Sequence, residues 1–346
     1  MSFMPTPRAR LVPGFGKDTA KIAIVGDFTT GFDDKALRPF SGPPGTALEQ
    51  CMQVAGILKA EVYMTNAVKS QTRMPYKASN MEYFDDHKRK FTELGLEHAA
   101  MLRSELDHHS ANVIVCCGNA ALAALTDFNS VAKYRGYVVA STKLSRTRKI
   151  IPTYSPASTI RGTYVNRHMI VADLKKAKQE CEFPELIRPE RTLIYDYANV
   201  EEALQWLAML EKEKELCFDI EVINYEVSCI SFSPRPDLGI VIPIGNSDYR
   251  PEGWTEDEEL QLWRGIQRVL GNPESTKVVQ NGIFDIHFLL TRCGVEVRGP
   301  IRDTMIGHSV MFPELPKGLD FLGSIYCGSQ QYWKDSVKFN NIKGES

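Results

Sequence analysis

The sequence predicts an α/β protein with two domains, and three observations lead to this prediction. Strand-like and helical patterns alternate through the first half of the chain, whereas three strand-like runs follow one another in the second half. Between the halves, a charged stretch with two prolines is typical of a linker. With a length of 346 residues, these patterns predict domains at 1–180 and 191–346, joined by a linker at 181–190.

Short apolar runs in the first half predict strands, and the periodic segments between them predict helices. The strands are expected at 21–26, 61–65, 112–118, 136–140 and 149–154. The helices are expected at 46–58 with Thr46 as the N-cap, and at 80–108, 119–125 and 164–180. Because strands and helices alternate, we predict a parallel sheet with helices on both faces, and ligand sites in the loops after its strands.

The second half predicts a mixed sheet, since three strands at hairpin spacing are followed by helix, strand and helix. Its strands are expected at 191–195, 216–222, 227–233, 238–244 and 277–280. Its helices are expected at 199–214 with Asn199 as the N-cap, and at 255–270, 282–292, 303–308 and 317–326.

The strand at 216–222 carries two acids inside an apolar run. Asp219 and Glu221 are two positions apart, so both carboxylates would lie on one face of the strand. Two like charges there are costly unless a cation lies between them, and Mg²⁺ prefers carboxylate oxygens. Asp285, within an apolar helical pattern, could supply a third carboxylate. The alternative is that arginines or helix caps satisfy these acids, since about five acid-x-acid triplets are expected by chance in this composition.

Composition narrows the class of protein. The chain is 43% hydrophobic and 24% charged, as soluble globular proteins are, and its net charge of −2 gives no overall basic field. Ten Lys or Arg against one acid between 129 and 176 could form a local nucleic-acid patch or a solvated basic face. Eight cysteines without a Cys-x-x-Cys motif indicate reduced thiols, and no apolar run is long enough to span a membrane. We therefore expect a cytoplasmic protein without a membrane partner.

A series of motifs in the first half resembles the uracil-DNA glycosylase superfamily. They follow the family's order: Val-Gly-Asp at 25–27, Pro-Phe-Ser-Gly-Pro-Pro-Gly at 39–45, Val-Tyr-Met-Thr-Asn-Ala-Val-Lys at 62–69, Val-Ile-Val-Cys-Cys-Gly at 113–118 and Pro-Thr-Tyr-Ser-Pro-Ala-Ser-Thr-Ile-Arg at 152–161. The resemblance implies that Phe40 stacks on a flipped base and that Asn66 reads the uracil edge. It also places Arg161, at the end of the last motif, among the substrate-binding residues.

The same motifs depart from the family at three places. Ser155 stands where the family usually has a histidine that stabilises the departing uracil anion, and the usual Pro-Gly does not follow Asp27. Ser70 stands where several relatives have a cysteine of an iron–sulfur cluster, so no such cluster is expected. Three hypotheses remain for this domain. It could excise uracil, it could be a catalytically inactive glycosylase fold that binds DNA or docks a partner, or it could be a purely structural domain.

The second half resembles the proofreading 3′ to 5′ exonuclease domain of family A DNA polymerases, over residues 191–335. The resemblance implies a ribonuclease H-like fold in which Asp219 and Glu221 form the first motif and Asn281 with Asp285 forms the second. The third motif, a Tyr and an Asp four residues later, is missing, because Tyr332 and Asp335 are only three apart. His287 and His308 are interpreted as helical histidines rather than as metal ligands.

This resemblance predicts two-metal hydrolysis of a terminal phosphodiester. Asp219, Glu221 and Asp285 are the expected catalytic and metal-binding residues for two Mg²⁺ or Mn²⁺ ions, and Asn281 is expected to bind substrate. The order of the two domains resembles the amino-terminal part of certain bacteriophage family A DNA polymerases, without the polymerase domain. The expected partners are a single-stranded or frayed 3′ end of DNA and a polymerase domain or subunit, in the host cytoplasm. The alternatives are a non-catalytic DNA-binding or docking module, and a uracil-DNA glycosylase.

Overall fold

The computed structural model describes residues 10–71, 82–244 and 253–327, which form two compact units. The second unit is Pro189–Leu319. The first unit contains the described residues up to Arg188 together with residues 320–327. The predicted domain limits thus differ from the compact units at the carboxyl-terminal side, where residues 320–327 pack with the first unit.

The first unit is built on a five-stranded sheet with strand order β2-β1-β5-β7-β6. All neighbours are parallel except β6, which pairs with β7 in the antiparallel direction. A separate two-stranded hairpin, β3 with β4, lies outside this sheet. The strands are β1 (Ile22–Thr29), β2 (Val62–Gln71), β3 (Phe84–Asp85), β4 (Lys90–Phe91), β5 (Val113–Cys117), β6 (Val139–Ala140) and β7 (Lys149–Thr153).

Seven helices of the described chain belong to this unit. They are α1 (Gly31–Ala36), α2 (Pro43–Ala55), α3 (Glu93–Asp107), α4 (Asn119–Leu125), α5 (Val131–Tyr134), α6 (Asn166–Glu180) and, after the second unit, α11, whose range is Leu319–Tyr326. The prediction of Thr46 as an N-cap is wrong, because α2 begins three residues earlier, with two prolines directly after its N-cap Gly42. Proline suits the first helical turn, where its missing N–H has no partner to lose.

The long helix predicted at 80–108 is wrong over residues 84–92. Residues 80 and 81 lie outside the described ranges, the β3–β4 hairpin follows, and α3 begins only at Glu93. Thr92 caps α3 by accepting a hydrogen bond from the Gly95 N–H at 3.1 Å. Its own N–H donates to the Tyr83 carbonyl at 3.0 Å, which fixes the hairpin against the helix start.

Residues 320–327 form what we call the clasp, because buried cations of the first unit hold its backbone. Lys176 Nζ donates to the Ser324 carbonyl at 2.7 Å and to the Cys327 carbonyl at 2.9 Å. Arg135 pairs with Asp173 at 2.8 Å and also bonds the Ser324 side chain. A buried cation needs such partners, so the clasp satisfies charges that water would otherwise solvate.

The second unit contains a six-stranded mixed sheet with strand order β13-β12-β9-β10-β11-β8. The three central strands are antiparallel, and the other pairs are parallel. The strands are β8 (Thr192–Ile194), β9 (Glu215–Ile223), β10 (Glu226–Arg235), β11 (Leu238–Pro243), β12 (Thr276–Val279) and β13 (Ile301–Asp303). The helices are α7 (Val200–Leu210), α8 (Glu256–Gly271), α9 (Ile283–Cys293) and α10 (Thr304–Met311).

Alternation along β9 decides which face of this sheet is core. Leu216, Phe218 and Ile220 are buried, whereas Asp219 and Glu221 are on the exposed side. The predicted N-cap Asn199 is confirmed, since it caps α7, and the structure adds Thr255 as the cap of α8. Within the described ranges, no helix is both long and apolar enough to cross a bilayer.

Candidate functional sites

The acids predicted at 219 and 221 share the exposed face of β9, and a third acid approaches from α9. Asp285 lies in the first turn of α9 and is only 7% exposed. Its Oδ1 accepts a hydrogen bond of 3.4 Å from the backbone N–H of Ile220, which lies between the two strand acids. We call Asp219, Glu221 and Asp285 the acid face.

Electrostatics connect the three members of the acid face. Burial raises the pKa of Asp219 to about 6, and the charges of Asp285 and then Glu221 add to the increase. Burial also raises the pKa of Asp285, against the lowering effect of the Ile220 N–H. Like charges near each other favour the protonated form, and a cation reverses this preference. The donor chemistry of the acid face therefore fits a hard divalent cation.

The acid face is not arranged as a finished coordination shell. Within residues 10–71, 82–244 and 253–327, no group of three or more His, Cys, Asp or Glu side chains already has the geometry to hold a metal ion. Asp285 and Glu221 lie near enough to raise the pKa of Asp219, so rotations of side chains on the exposed strand face would be needed to bring the carboxylate oxygens together. The assignment of these three acids as catalytic and metal-binding residues stays a prediction.

Asp303 holds the turn from which α9 begins, a role that the sequence reading missed. One of its carboxylate oxygens accepts from the Asn281 N–H at 3.2 Å and the other from the Gly282 N–H at 3.0 Å. It also caps α10 by accepting from Met305 and Ile306. Asn281 has a left-handed backbone, with φ of 58°, and an exposed side chain. Asp303 thus ties a strained turn to the next helix and directs Asp285 toward β9.

Two other residue pairs considered in the second half lie away from this arrangement or outside the described chain. His287 is exposed on α9, whereas His308 is buried in α10. Tyr332 and Asp335 lie outside the described residues.

A cavity of about 610 Å³ opens at the carboxyl ends of the first unit's parallel strands. The end of β2 and the loops after β1 and β7 line it, and strand ends of this kind are usual ligand sites in parallel sheets. Its walls bring together the residues singled out from the sequence: Phe40, Asn66, Arg161, Ser155 and Asp27. Their roles toward a base stay predictions.

Close backbone approaches shape this cavity. Gly26 pairs with Asn66 across β1 and β2, and a Cβ at Gly26 would overlap Asn66 Oδ1 and lie 2.8 Å from Phe40 Cζ. Phe40 itself has a left-handed backbone, with φ of 55°. The Asn66 amide donates weakly to Thr29 Oγ1, at 3.5 Å. Gly26 therefore allows the ring of Phe40 and the amide of Asn66 to share one wall.

Asp27 is a carboxyl held largely out of water on the cavity wall. Burial raises its pKa to about 7, against the lowering effect of the Ala121 N–H, which donates to Oδ1 at 2.8 Å. Gly118, with φ of 122°, lies so close that a Cβ there would overlap Asp27 Oδ2. Near neutral pH, Asp27 can therefore both donate and accept hydrogen bonds.

Ser70, the position where relatives have a cluster cysteine, lies in a hydrogen-bond chain of three side chains. Its Oγ is 3.1 Å from Tyr83 Oη and 3.3 Å from His98 Nε2. Ser70 and Tyr83 both line the cavity, and all three side chains are buried. Because the three positions are far apart in sequence, no local pattern could have predicted this chain.

The basic stretch at 129–176 is only partly a solvated face. Four of its ten basic residues are buried: Arg135, Arg148, Lys149 and Lys176. Lys149 pairs with Glu180 at 3.1 Å, and Arg135 with Asp173. A nucleic-acid surface on this stretch would therefore rely on the exposed residues, which include Lys143 and Arg161.

Two family models match the chain in series. The model of the uracil DNA glycosylase superfamily matches residues 13–177, and the model of a 3′-5′ exonuclease matches residues 196–341. The chain carries a uracil-DNA glycosylase superfamily domain followed by a 3′–5′ exonuclease domain. The predicted fold class is confirmed: the glycosylase-superfamily domain has a sheet that is mostly parallel, and the exonuclease domain has a ribonuclease H-like mixed sheet.

Two relatives of the glycosylase-superfamily domain are type-4 uracil-DNA glycosylases. The type-4 uracil-DNA glycosylase of Thermotoga maritima is 27% identical over 179 residues, which cover 49% of this chain and 83% of that protein. The type-4 uracil-DNA glycosylase of Archaeoglobus fulgidus is 26% identical over 179 residues, which cover 50% of this chain and 83% of that protein.

Solved structures similar to the chain include nucleases. Escherichia coli RNase D, an exoribonuclease involved in structured RNA processing, has 20% sequence identity and a TM-score of 0.31, and the match covers 42% of this chain and 36% of that one. Brucella melitensis NrnC with bound Mg²⁺ has 18% identity and a TM-score of 0.28, with 40% and 61% of the two chains covered. The match therefore spans less than two thirds of either solved chain.

Proposed function

We propose that the exonuclease domain removes nucleotides from the 3′ end of DNA in a reaction that depends on Mg²⁺ or Mn²⁺. The observation that carries this proposal is the placement of the acid face, in which Asp285 accepts from the Ile220 N–H between Asp219 and Glu221. Such a group of like charges favours a bound cation. The family match over 196–341 supports the reaction class.

Asp219, Glu221 and Asp285 would hold the divalent ions. Bound ions of this kind supply Lewis-acid stabilisation and lower the pKa of water. Asp285 is kept in place by the Ile220 N–H and by the turn that Asp303 fixes. The exposed side chain of Asn281, on that turn, is available to contact the terminal nucleotide.

The setting of this activity is DNA replication, with the exonuclease proofreading beside a polymerase domain or subunit of bacteriophage type. The order of the two domains supports this setting. A catalytic site in this domain is further supported by the burial of Asp285 on an otherwise apolar helix, because a buried acid is costly without a function or a partner.

Degradation of labelled single-stranded DNA by the full chain tests the proposal. We expect loss of nucleotides from the 3′ end with Mg²⁺, and a rate at least about 100-fold lower in Asp219→Ala, because the ion-mediated stabilisation is worth several kcal/mol. Asp257→Ala, an exposed acid in the first turn of α8, is the matched control and should keep the parent rate. Equal rates in the Asp219 and parent proteins would refute the assignment. Salt-sensitive DNA binding without hydrolysis would favour the binding-module alternative.

A second function is supported for the glycosylase-superfamily domain, namely binding of an unstacked base in its cavity. Phe40 would stack on the base, and Asn66 and Arg161 would contact its polar edge and backbone. The hydroxyl of Ser155 is a weaker partner for a departing anion than an imidazole, so we expect binding to exceed excision.

An oligonucleotide with a single deoxyuridine tests this second function. We expect tighter binding than to the same oligonucleotide with deoxycytidine, and loss of the difference in Asn66→Ala. Release of free uracil would show that the domain also excises the base. Equal affinity for both oligonucleotides would contradict base binding.

A further inference from the structure

We propose that Tyr83 is a specificity-determining residue of the first-unit cavity. Its hydroxyl presents a hydrogen-bond donor to a base that carries an exocyclic oxygen, rather than an amino group, at the edge near Asn66. The inference rests on the proposed binding of a base in this cavity. It is carried by the direction of the hydrogen-bond chain through His98, Ser70 and Tyr83.

A backbone amide fixes the first link of the chain. The Lys69 N–H lies 3.2 Å from His98 Nδ1 and can only donate, so Nδ1 must accept and carries no proton. Burial lowers the pKa of His98 and so favours the neutral ring. In that ring the hydrogen is on Nε2, which donates to Ser70 Oγ over 3.3 Å.

The second link follows from the burial of Ser70, which is 1% exposed. Its Oγ contacts two side-chain atoms in the described part of the chain, His98 Nε2 and Tyr83 Oη. Since Nε2 already donates, the Ser70 hydroxyl hydrogen has the Tyr83 oxygen as its acceptor. Buried hydroxyls are nearly always hydrogen-bonded, so this direction is the one that satisfies the serine.

Tyr83 then retains its own hydroxyl hydrogen for the cavity that it lines. Its ring is held edge-on to His98, with centroids 4.9 Å apart, and its carbonyl accepts from Thr92. The donor is therefore fixed before a ligand arrives, which reduces the entropy lost on binding.

The position of this donor decides which ligand it accepts. Asn66 and Ser70 lie four residues apart on β2, and both side chains line the cavity. A base oxygen beside Asn66 would accept from Tyr83. An amino group there would face a second donor, and the two donors would leave each other without an acceptor.

Paired oligonucleotides that differ only in one deoxyuridine or deoxycytidine test the proposal with the full chain. The parent protein should prefer deoxyuridine, and Tyr83→Phe should reduce that preference roughly two- to tenfold, as expected for one neutral hydrogen bond. Ser70→Ala should reduce it similarly, and the double variant should lose little more, because the chain acts as a unit. Tyr63→Phe is the matched control, since that buried hydroxyl bonds Glu105 at 2.9 Å instead.

Several outcomes would overturn the proposal. An unchanged preference in Tyr83→Phe, or an equal loss in Tyr63→Phe, would show that the hydroxyl does not read the base. If the parent itself shows no preference, base binding by the cavity fails and the role of Tyr83 fails with it. If Tyr83→Phe does not fold, the Ser70→Ala variant and the ¹⁵N spectrum of His98 in the parent protein test the proposal instead. That spectrum should show the Nε2–H tautomer. The Nδ1–H tautomer would reverse the direction of the hydrogen bonds and contradict the proposal.

Discussion

The cavity of the first unit and the acid face of the second differ in how complete they are. The cavity is formed by strand ends and loops, and some of its polar groups already have partners, such as Asp27, which accepts a hydrogen bond from the Ala121 N–H. The acid face lies on the exposed side of β9, where burial raises the pKa of Asp219 and the charges of Asp285 and Glu221 add to the increase. We therefore expect the cavity to recognise a neutral group without a metal ion, whereas the acid face needs added positive charge.

Chelation should separate the two sites most strongly. With EDTA, we expect DNA degradation by the full chain to fall at least about 1,000-fold, because the acids alone only repel one another and the phosphate. Discrimination between deoxyuridine and deoxycytidine should remain, since the cavity uses hydrogen bonds and stacking. DNA degradation and oligonucleotide binding would be measured on the same protein sample, with and without EDTA. If the binding assay also required a metal ion, the two sites would not differ in their need for added positive charge.

Gly118→Ala should lower the free energy of unfolding strongly, because the added methyl group enters the cavity wall. The added Cβ would overlap Asp27 Oδ2 in a backbone conformation, φ of 122°, that favours glycine. Gly162→Ala is the matched control, because its φ is 105° but nothing lies within 4 Å. By thermal unfolding, we expect Gly118→Ala to cost about 3 kcal/mol more than Gly162→Ala. Equal costs would mean that Asp27 moves freely.

Asp303→Ala should weaken the acid face without touching a candidate ligand. Losing the bonds to Asn281 and Gly282 would let the start of α9 shift, so we expect nuclease activity to fall about 10- to 100-fold, as for other groups that orient metal ligands. Asn199→Ala removes a helix cap of similar stability cost from α7 and should keep activity near the parent level. Raising Mg²⁺ should partly restore Asp303→Ala. Similar losses of nuclease activity in both variants would show that Asp303 acts only as a helix cap.

The buried carboxyl of Asp27 should make stability depend on pH. Its pKa rises from 3.8 to about 7 on folding, so the folded protein binds more protons than the unfolded chain between these values. Its stabilising contribution is therefore complete below about pH 4 and is lost as pH rises through about 7. Relative to Asp27→Asn, the parent should lose on the order of 2 kcal/mol between pH 5 and pH 8. Parallel unfolding curves for both proteins would contradict this.

Local sequence patterns predicted many of the strands and helices, because these elements depend on residues that are near one another in the chain. An apolar run that carries two acids located β9, and a polar residue before an apolar helical pattern located the cap Asn199. The burial of Asp285 beside Ile220 also agrees with an acid that faces the strand.

Features that depend on distant contacts could not be predicted in this way. The β3–β4 hairpin interrupts a helical pattern because Thr92 bonds back to the hairpin, at Glu82 and Tyr83. Asp303 gave a weak local signal, as an acid before an apolar helix, but its bonds to residues 281 and 282 join separate parts of the chain. The chain through Ser70 required three elements to meet.

The clasp has a consequence for how the protein is made. Lys176 and Arg135 emerge from the ribosome long before residues 320–327, whose backbone and side chains satisfy them. During synthesis the first unit lacks these contacts while the second unit, Pro189–Leu319, is translated and can fold. The amino-terminal domain is therefore the last of the two to be finished.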